Sequence, residues 1–388
     1  MVKRPPWVHV QQPTVPHYRV PFFDLLNERL DGRVRVSASP TVHSGPDSAP
    51  VHRRYLDLAH QCRPLAGGRA FWQQAMIPLA DGTSGDVAVV SGNPRFLSTL
   101  RFARLARKHR MSIVWWGHGH SPGSSRLGKR IREALMSRCD AVLLYTDAEA
   151  AAWRARLPTR VGLFGAQNAL DQSHAQAALA HWTPQQLHAF RSAQGLEGRK
   201  LLLFCGRLRR DPDSEVEVLL RALAELTPAD PSLLAIVIGD GEERQRLQGL
   251  AGSLGLHDHV RWLGAQYDES ANAPWFLSAE LFVYPGSIGL SILHAMGYGL
   301  PVVTHAEREG HNPEIAALRH EWNGLQCQRG NPRQFAEQIA RVVANPVLRQ
   351  QLSDNARQTV AREFSLTAMA DRFCAAVEHA RQHAAVSL

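Results

Sequence analysis

Along this chain, short uninterrupted apolar runs alternate with stretches in which apolar residues recur every three or four positions. In the first half the runs predict strands at 7–11, 34–37, 87–91, 113–116, 141–145 and 160–163. Helical periodicity fits 21–30, 95–110, 124–138 and 147–156. A polar, His- and Gln-rich stretch over 172–199 predicts a helix plus a linker. From residue 200 the pattern restarts, with strands at 201–205, 234–238, 260–263, 281–284, 302–304 and 324–326. Helices fit 215–226, 242–254, 270–277, 290–298, 312–320 and 332–344. Strands apolar on both faces belong to parallel sheets covered by helices. The expected class is therefore α/β, with two Rossmann-like parallel-sheet domains over 1–182 and 200–365 that face each other across a cleft. A tail helix from 366 has no strand after it and is expected to pack back on the first domain.

Composition supports this picture. A chain of 388 residues exceeds what one hydrophobic core organises. With 44% apolar and 20% charged residues it reads as a folded soluble protein. No window approaches the roughly 20 apolar residues of a membrane span, and the first residues lack a signal-peptide pattern. Cys62, Cys139, Cys205, Cys327 and Cys374 are scattered without a CxxC pair. That spacing suggests reduced thiols in a cytoplasmic protein and no zinc site. Charge is uneven. Residues 1–180 hold 24 Lys/Arg against 12 Asp/Glu, and the remainder holds 20 against 23. The first half is expected to face an anionic partner.

The densest chemical signal is the run 284–303, Tyr-Pro-Gly-Ser-Ile-Gly-Leu-Ser-Ile-Leu-His-Ala-Met-Gly-Tyr-Gly-Leu-Pro-Val-Val. A turn carrying Gly286, Ser287 and Gly289 lets backbone amides approach an anion, and the helix after Leu290 aims its unpaired N–H groups at the same point. Glycines placed only for tight turning are the competing reading. Three further segments accompany it. Gly206-Arg-Leu ends a strand where Arg207 can grip a phosphate. Ile-Val-Ile-Gly-Asp-Gly-Glu-Glu at 236–243 is strand, turn and acid-capped helix. Glu-Gly-His-Asn-Pro-Glu-Ile at 309–315 precedes Asn323-Gly.

In this order and spacing, the segments over roughly 200–365 resemble the nucleotide-sugar domain of family 4 glycosyltransferases, retaining enzymes with the two-domain GT-B fold. Upstream, 139–146 resembles the strand before the family's sensing helix, and Gln167-Asn-Ala-Leu-Asp resembles its Asn-Gly-x-Asp turn. The chain departs from the family at the two glutamates with seven residues between them, replaced by Gly286 and His294. The lysine after Arg207 is missing, with Pro212 and Asp213 near its place. A sub-branch with this Gly-x7-His pattern is what the chain resembles.

The resemblance implies a donor site formed by Gly206, Arg207, Arg209, Gly239, Gln266, Gly286, Ser287, Gly289, Leu290, His294 and Glu314. Amides at 287, 289 and 290 would take the distal phosphate, and His294 a ribose hydroxyl. A core histidine is the competing role for His294, and helix capping for Glu314. Arg209 or Arg210 would supply the missing lysine's charge, unless they are a solvated surface pair. Tyr267 is more readily loop packing than base pocket. On the first domain His118, with His120 behind it, would orient a hydroxyl from a strand end, or else be structural. His17 and Arg19 follow the first strand and would meet donor phosphates on closure. Catalysis would rest on His118, His120 and Arg207. The leaving phosphate would accept the incoming proton, without a metal or other cofactor.

Residues 101–110 and 126–138 read as basic amphipathic helices, the second with Leu127, Ile131 and Leu135 in one stripe. They suit either an anionic membrane face or an ordinary core contact. No nucleic-acid recognition motif is present. The expectation is a cytoplasmic retaining glycosyltransferase, peripheral on the inner membrane face. It would move a hexose from a UDP- or GDP-sugar to a lipid-linked or lipopolysaccharide-type glycan acceptor. A GT-B sugar-nucleotide epimerase and a non-catalytic nucleotide-sugar or glycan-binding protein are the rivals.

Overall fold

A computed structural model describes residues 6–38, 62–68, 70–73, 85–119, 126–210 and 215–384. The chain divides into two compact units, one running to Asn168 and resuming at Leu366, the other spanning Ala169–Ser365. The stretch read as helix plus linker over 172–199 thus folds with the second unit.

The first unit contains β1 (Val8–Gln11), α1 (Val20–Arg29), β2 (Val34–Ser37), β3 (Cys62–Leu65), β4 (Ala70–Gln73) and β5 (Val87–Ser91). After these come α2 (Ser98–Lys108), β6 (Ser112–Trp116), α3 (Arg126–Met136), β7 (Ala141–Leu144), α4 (Asp147–Trp153) and β8 (Gly162–Gly165). Six strands form a parallel sheet in the order β2-β1-β5-β6-β7-β8, while β3 and β4 make a separate antiparallel hairpin. Every residue of β1, β5, β6 and β7 is buried, as a sheet covered on both faces requires.

The second unit contains α5 (Ser173–His181), α6 (Pro184–Ala193), β9 (Lys200–Cys205), α7 (Val216–Leu226), β10 (Leu233–Ile238), α8 (Arg244–Ser253) and β11 (Val260–Gly264). It continues through α9 (Glu269–Ser278), β12 (Ala279–Val283), α10 (Ser291–Gly297), β13 (Val302–His305), β14 (Gly324–Cys327), α11 (Pro332–Val343) and α12 (Pro346–Glu363). Its parallel sheet runs β11-β10-β9-β12-β13-β14, the doubly wound order. The expected helix over 312–320 is only a short 3-10 turn at Pro313–Ala317, because the chain extends again at Leu318.

Side-chain caps mark where several helices begin. Thr183 and Gln186 form a reciprocal box at α6, and Asn331 and Asn345 cap α11 and α12. The last helix, α13 (Leu366–Ala384), returns to the first unit and packs on α1 and across β6–β8. Phe373 drives this docking. Its ring meets Phe22 at 5.8 Å and Trp116 at 5.4 Å, both edge-on, and all three are buried.

Candidate functional site

In the second unit the strand order reverses between β9 and β12, so the chain leaves these neighbouring strands in opposite directions and opens a crevice at their carboxyl ends. Gly206 follows β9, and Gly239 and Gly241 follow β10. The two loops touch backbone to backbone: Gly206 N–H donates to the Ile238 carbonyl at 3.0 Å, and Leu208 N–H to the Asp240 carbonyl at 3.0 Å. A Cβ on Gly239 would lie 1.8 Å from the Gly206 oxygen, and one on Gly241 2.2 Å from that of Leu208. A Cβ on Gly206 would strike the Tyr284 ring at 2.8 Å, which stacks on Phe204. Glycine is demanded here by contact, and Arg207 is held exposed beside the crevice.

The turn after β12 is braced by the segment after β13. Ser287 Oγ donates to the Gly310 carbonyl, Ile288 N–H donates to His311 Nδ1 at 3.2 Å, and Asn312 N–H donates to the Ile288 carbonyl at 3.1 Å. His311 Nε2 reaches the His305 carbonyl at 2.9 Å, which fixes Nδ1 as the acceptor for Ile288, and the two imidazoles stack at 3.7 Å. Burial pushes the pKa of His305 down to about 3, aided by His311 and Arg329. Burial likewise pushes His311 down to about 4. Both rings are neutral at pH 7. This brace consumes the Ile288 amide and the Ser287 hydroxyl. The amides of Gly289 and Leu290 carry no hydrogen bond among the described residues. Since α10 has only seven residues, the turn amides carry the anion-binding argument more than the helix dipole does.

His294 is half-buried and does not stand alone. Its Nε2 lies 2.7 Å from Glu269 Oε1, to which Tyr298 Oη also donates at 2.5 Å, and its ring packs on Phe276 at 4.4 Å. Burial raises the pKa of Glu269, but the hydrogen bond and charge of His294, with the Tyr298 bond, outweigh it and leave the carboxyl below its ordinary value. Burial and the Glu269 carboxylate raise the pKa of Tyr298. Sequence reasoning found His294 but missed Glu269 and Tyr298. Glu269 starts α9, and no spacing in the chain ties it to position 294.

Other expected donor residues scatter more widely. Gln266 is half-buried, and its buried Oε1 has no hydrogen-bond partner among the described residues. Tyr267 is 96% exposed, so the loop-packing reading fails. Glu314 is buried in the first turn of the 3-10 segment Pro313–Ala317. Arg209 and Arg210 are exposed, with Arg210 Nε 4.0 Å from Glu243. His120, Pro212 and Asp213 lie outside the described residues.

In the first unit His118 follows β6 and packs its ring on Tyr145 at 4.4 Å. Glu149 pins the surrounding backbone, accepting Gly119 N–H at 2.7 Å and Tyr145 N–H at 3.3 Å. Buried Arg132, from α3, reaches the Gly119 carbonyl at 3.4 Å. His118 is nonetheless exposed to solvent over part of its surface. Its packed face and, next, the Arg132 guanidinium push its pKa below the ordinary range, leaving a neutral imidazole able to take a proton from a hydroxyl. His17 is exposed. Arg19, expected on a loop to meet phosphates, is instead buried: it donates to Asn168 Oδ1 at 2.7 Å and lies over Trp116. Its 3-10 turn, His17–Arg19, carries the side chain inward just before α1.

Among the described residues no group of three His, Cys, Asp or Glu is placed to hold a metal ion, and no helix is long and apolar enough to cross a membrane. All five cysteines are unbridged.

Residues 188–359 match the family described as Glycosyl transferases group 1. The lipopolysaccharide core biosynthesis glycosyltransferase LpsE of Rhizobium meliloti is 34% identical over 158 residues, 40% of this chain and 43% of LpsE. The alpha-D-kanosaminyltransferase of Streptomyces kanamyceticus is 30% identical over 186 residues, 47% of this chain and 46% of that protein. The chain thus matches less than half the length of each. Among solved structures, the Anabaena protein HepE in complex with UDP superposes with a TM-score of 0.71 at 16% identity, over 96% of this chain and 99% of that one. The chain therefore has the GT-B fold, and its residues 188–359 are similar to the group 1 glycosyl transferases.

Proposed function

We propose that the chain is a retaining hexosyltransferase of family 4, in a sub-branch where Gly286 and His294 stand in for the usual glutamate pair. It transfers from a UDP- or GDP-sugar to a lipid-linked glycan acceptor, at the inner face of a membrane and without a metal. The observation that carries the reading is the turn at 286–290: it sits where the strand order reverses, is braced by Gly310 and His311, and presents the Gly289 and Leu290 amides. Two amides and the exposed Arg207 suit the charge of a leaving diphosphate. The Glu269–His294–Tyr298 cluster offers polar groups to donor hydroxyls. In the first unit, neutral His118 is suited to orienting an acceptor hydroxyl. The resemblance to LpsE and the UDP held by HepE favour the same substrates here.

The test is a thermal-shift panel of UDP-, GDP- and dTDP-sugars with and without EDTA, followed by NMR of the transferred anomeric centre. Stabilisation by one nucleotide series, insensitive to EDTA, and a product with the donor's anomeric configuration are expected. No stabilisation by any nucleotide sinks the donor site, inversion sinks the retaining mechanism, and an altered free sugar nucleotide without transfer favours an epimerase.

A further inference from the structure

The stripe Leu127–Ile131–Leu135 on α3 had two readings, an anionic membrane face or an ordinary core contact. In the folded unit Leu127 is 68% and Ile131 47% exposed, while Leu135 lines a cavity of about 620 Å³ between α2 and α3. The cavity is walled by Val90, Phe96, Ala103, Trp115 and Cys139, and the exposed Leu97, Leu100 and Ile131 also line it. A flat contact with a membrane needs apolar side chains but no hole behind them. Arg95, exposed, lines the cavity, and the two helices beside it carry further exposed arginines at 101, 104, 126 and 130, none with an acidic partner among the described residues. Arg132 joins the cavity to the His118 region, since it both lines the cavity and touches the Gly119 carbonyl.

We propose that this cavity holds the hydrocarbon chain of an anionic amphiphile, acyl or isoprenoid, whose charged end lies among the α2 and α3 arginines. Apolar walls with a few cations at the rim are what such a molecule requires, and the volume falls in the range of small-molecule sites. The inference rests on the acceptor assignment above and sharpens it: the acceptor's chain is gripped singly by the protein.

The experiment uses the full chain and a fluorescent C18 polyene fatty acid below its critical micelle concentration. Saturable binding of one probe per chain is expected, displaced by dodecyl phosphate and not by inorganic phosphate. Ile131→Asp at the open rim and Ala103→Trp within the cavity should each weaken probe binding by tenfold or more, with the nucleotide-sugar thermal shift retained. Absence of saturable monomer binding, binding seen only with anionic vesicles, or binding by both variants as tight as that of the unaltered chain overturns the proposal. Probe binding needs no nucleotide. A protein that binds the probe but no sugar nucleotide would defeat the transferase reading and leave the cavity standing.

Discussion

The two units place their candidate groups by different means. At the carboxyl ends of β9, β10 and β12, backbone holds backbone: Gly206, Gly239 and Gly241 permit contacts that any side chain would prevent. At the end of β6, side chains do the holding, with Glu149 and Arg132 gripping the backbone beside His118. A backbone-built site suits a ligand part that is always the same, such as a diphosphate. A site set by side chains and a neighbouring cavity can be re-cut for a different acceptor without rebuilding the sheet.

The sharpest way to break this contrast is to add one methyl group. Gly239→Ala places a Cβ against the Gly206 carbonyl, and the two loops must separate. We expect a loss of about 3 kcal/mol in urea unfolding and loss of any nucleotide-induced thermal shift. Retention of both would mean that the glycine contact is not structural. His118→Ala probes the other unit, with transfer falling roughly 100-fold while nucleotide binding is unchanged. Equal loss of binding would remove the division of roles.

Glu269→Gln keeps the shape of the cluster but removes the charge facing His294 and Tyr298. A loss of about 1.5 kcal/mol is expected from a hydrogen bond to a charged group, together with weaker nucleotide binding, both readable by calorimetry. The same carboxylate has a pH signature. Its folded pKa lies below the unfolded one, so its support is present above the ordinary carboxylate range and lost as pH falls through the folded value.

The smallest effect concerns the brace. His305 and His311 bind fewer protons folded than unfolded, so their neutral forms support the fold fully above about pH 6.5. That support declines as pH falls from there towards the folded values of about 3 and 4. His311→Asn retains an acceptor for the Ile288 amide and should flatten the decline of the urea midpoint over that interval. An unchanged pH profile would show that the stacked pair does not report on the turn.

Much of the architecture was legible. Continuous apolar runs such as 201–205 and 234–238 mark strands that only a two-sided helical cover can bury, and the segments over 200–365 pointed to the site in the second unit. The hairpin β3–β4 was not legible, since Cys-Arg-Pro-Leu carries neither alternation nor a continuous apolar run. Nor was α12, whose polar residues dominate a helix buried along only part of its surface. Arg19 read as a loop cation because charge favours exposure on average; a 3-10 turn and an amide acceptor at Asn168 reverse that at this one position.

By itself the sequence determined the two-sheet α/β plan and the glycines at the strand ends, because both follow from local geometry: period, turn and the absence of a Cβ. Tertiary structure alone decided which groups meet. Glu269 reaches His294 and His311 orients the Ile288 amide, each pair brought together from separate elements. The apolar stripe of α3 opens onto a cavity where a core contact was equally allowed. Those outcomes depend on packing between residues far apart in the chain, and periodicity along the chain carries no record of it.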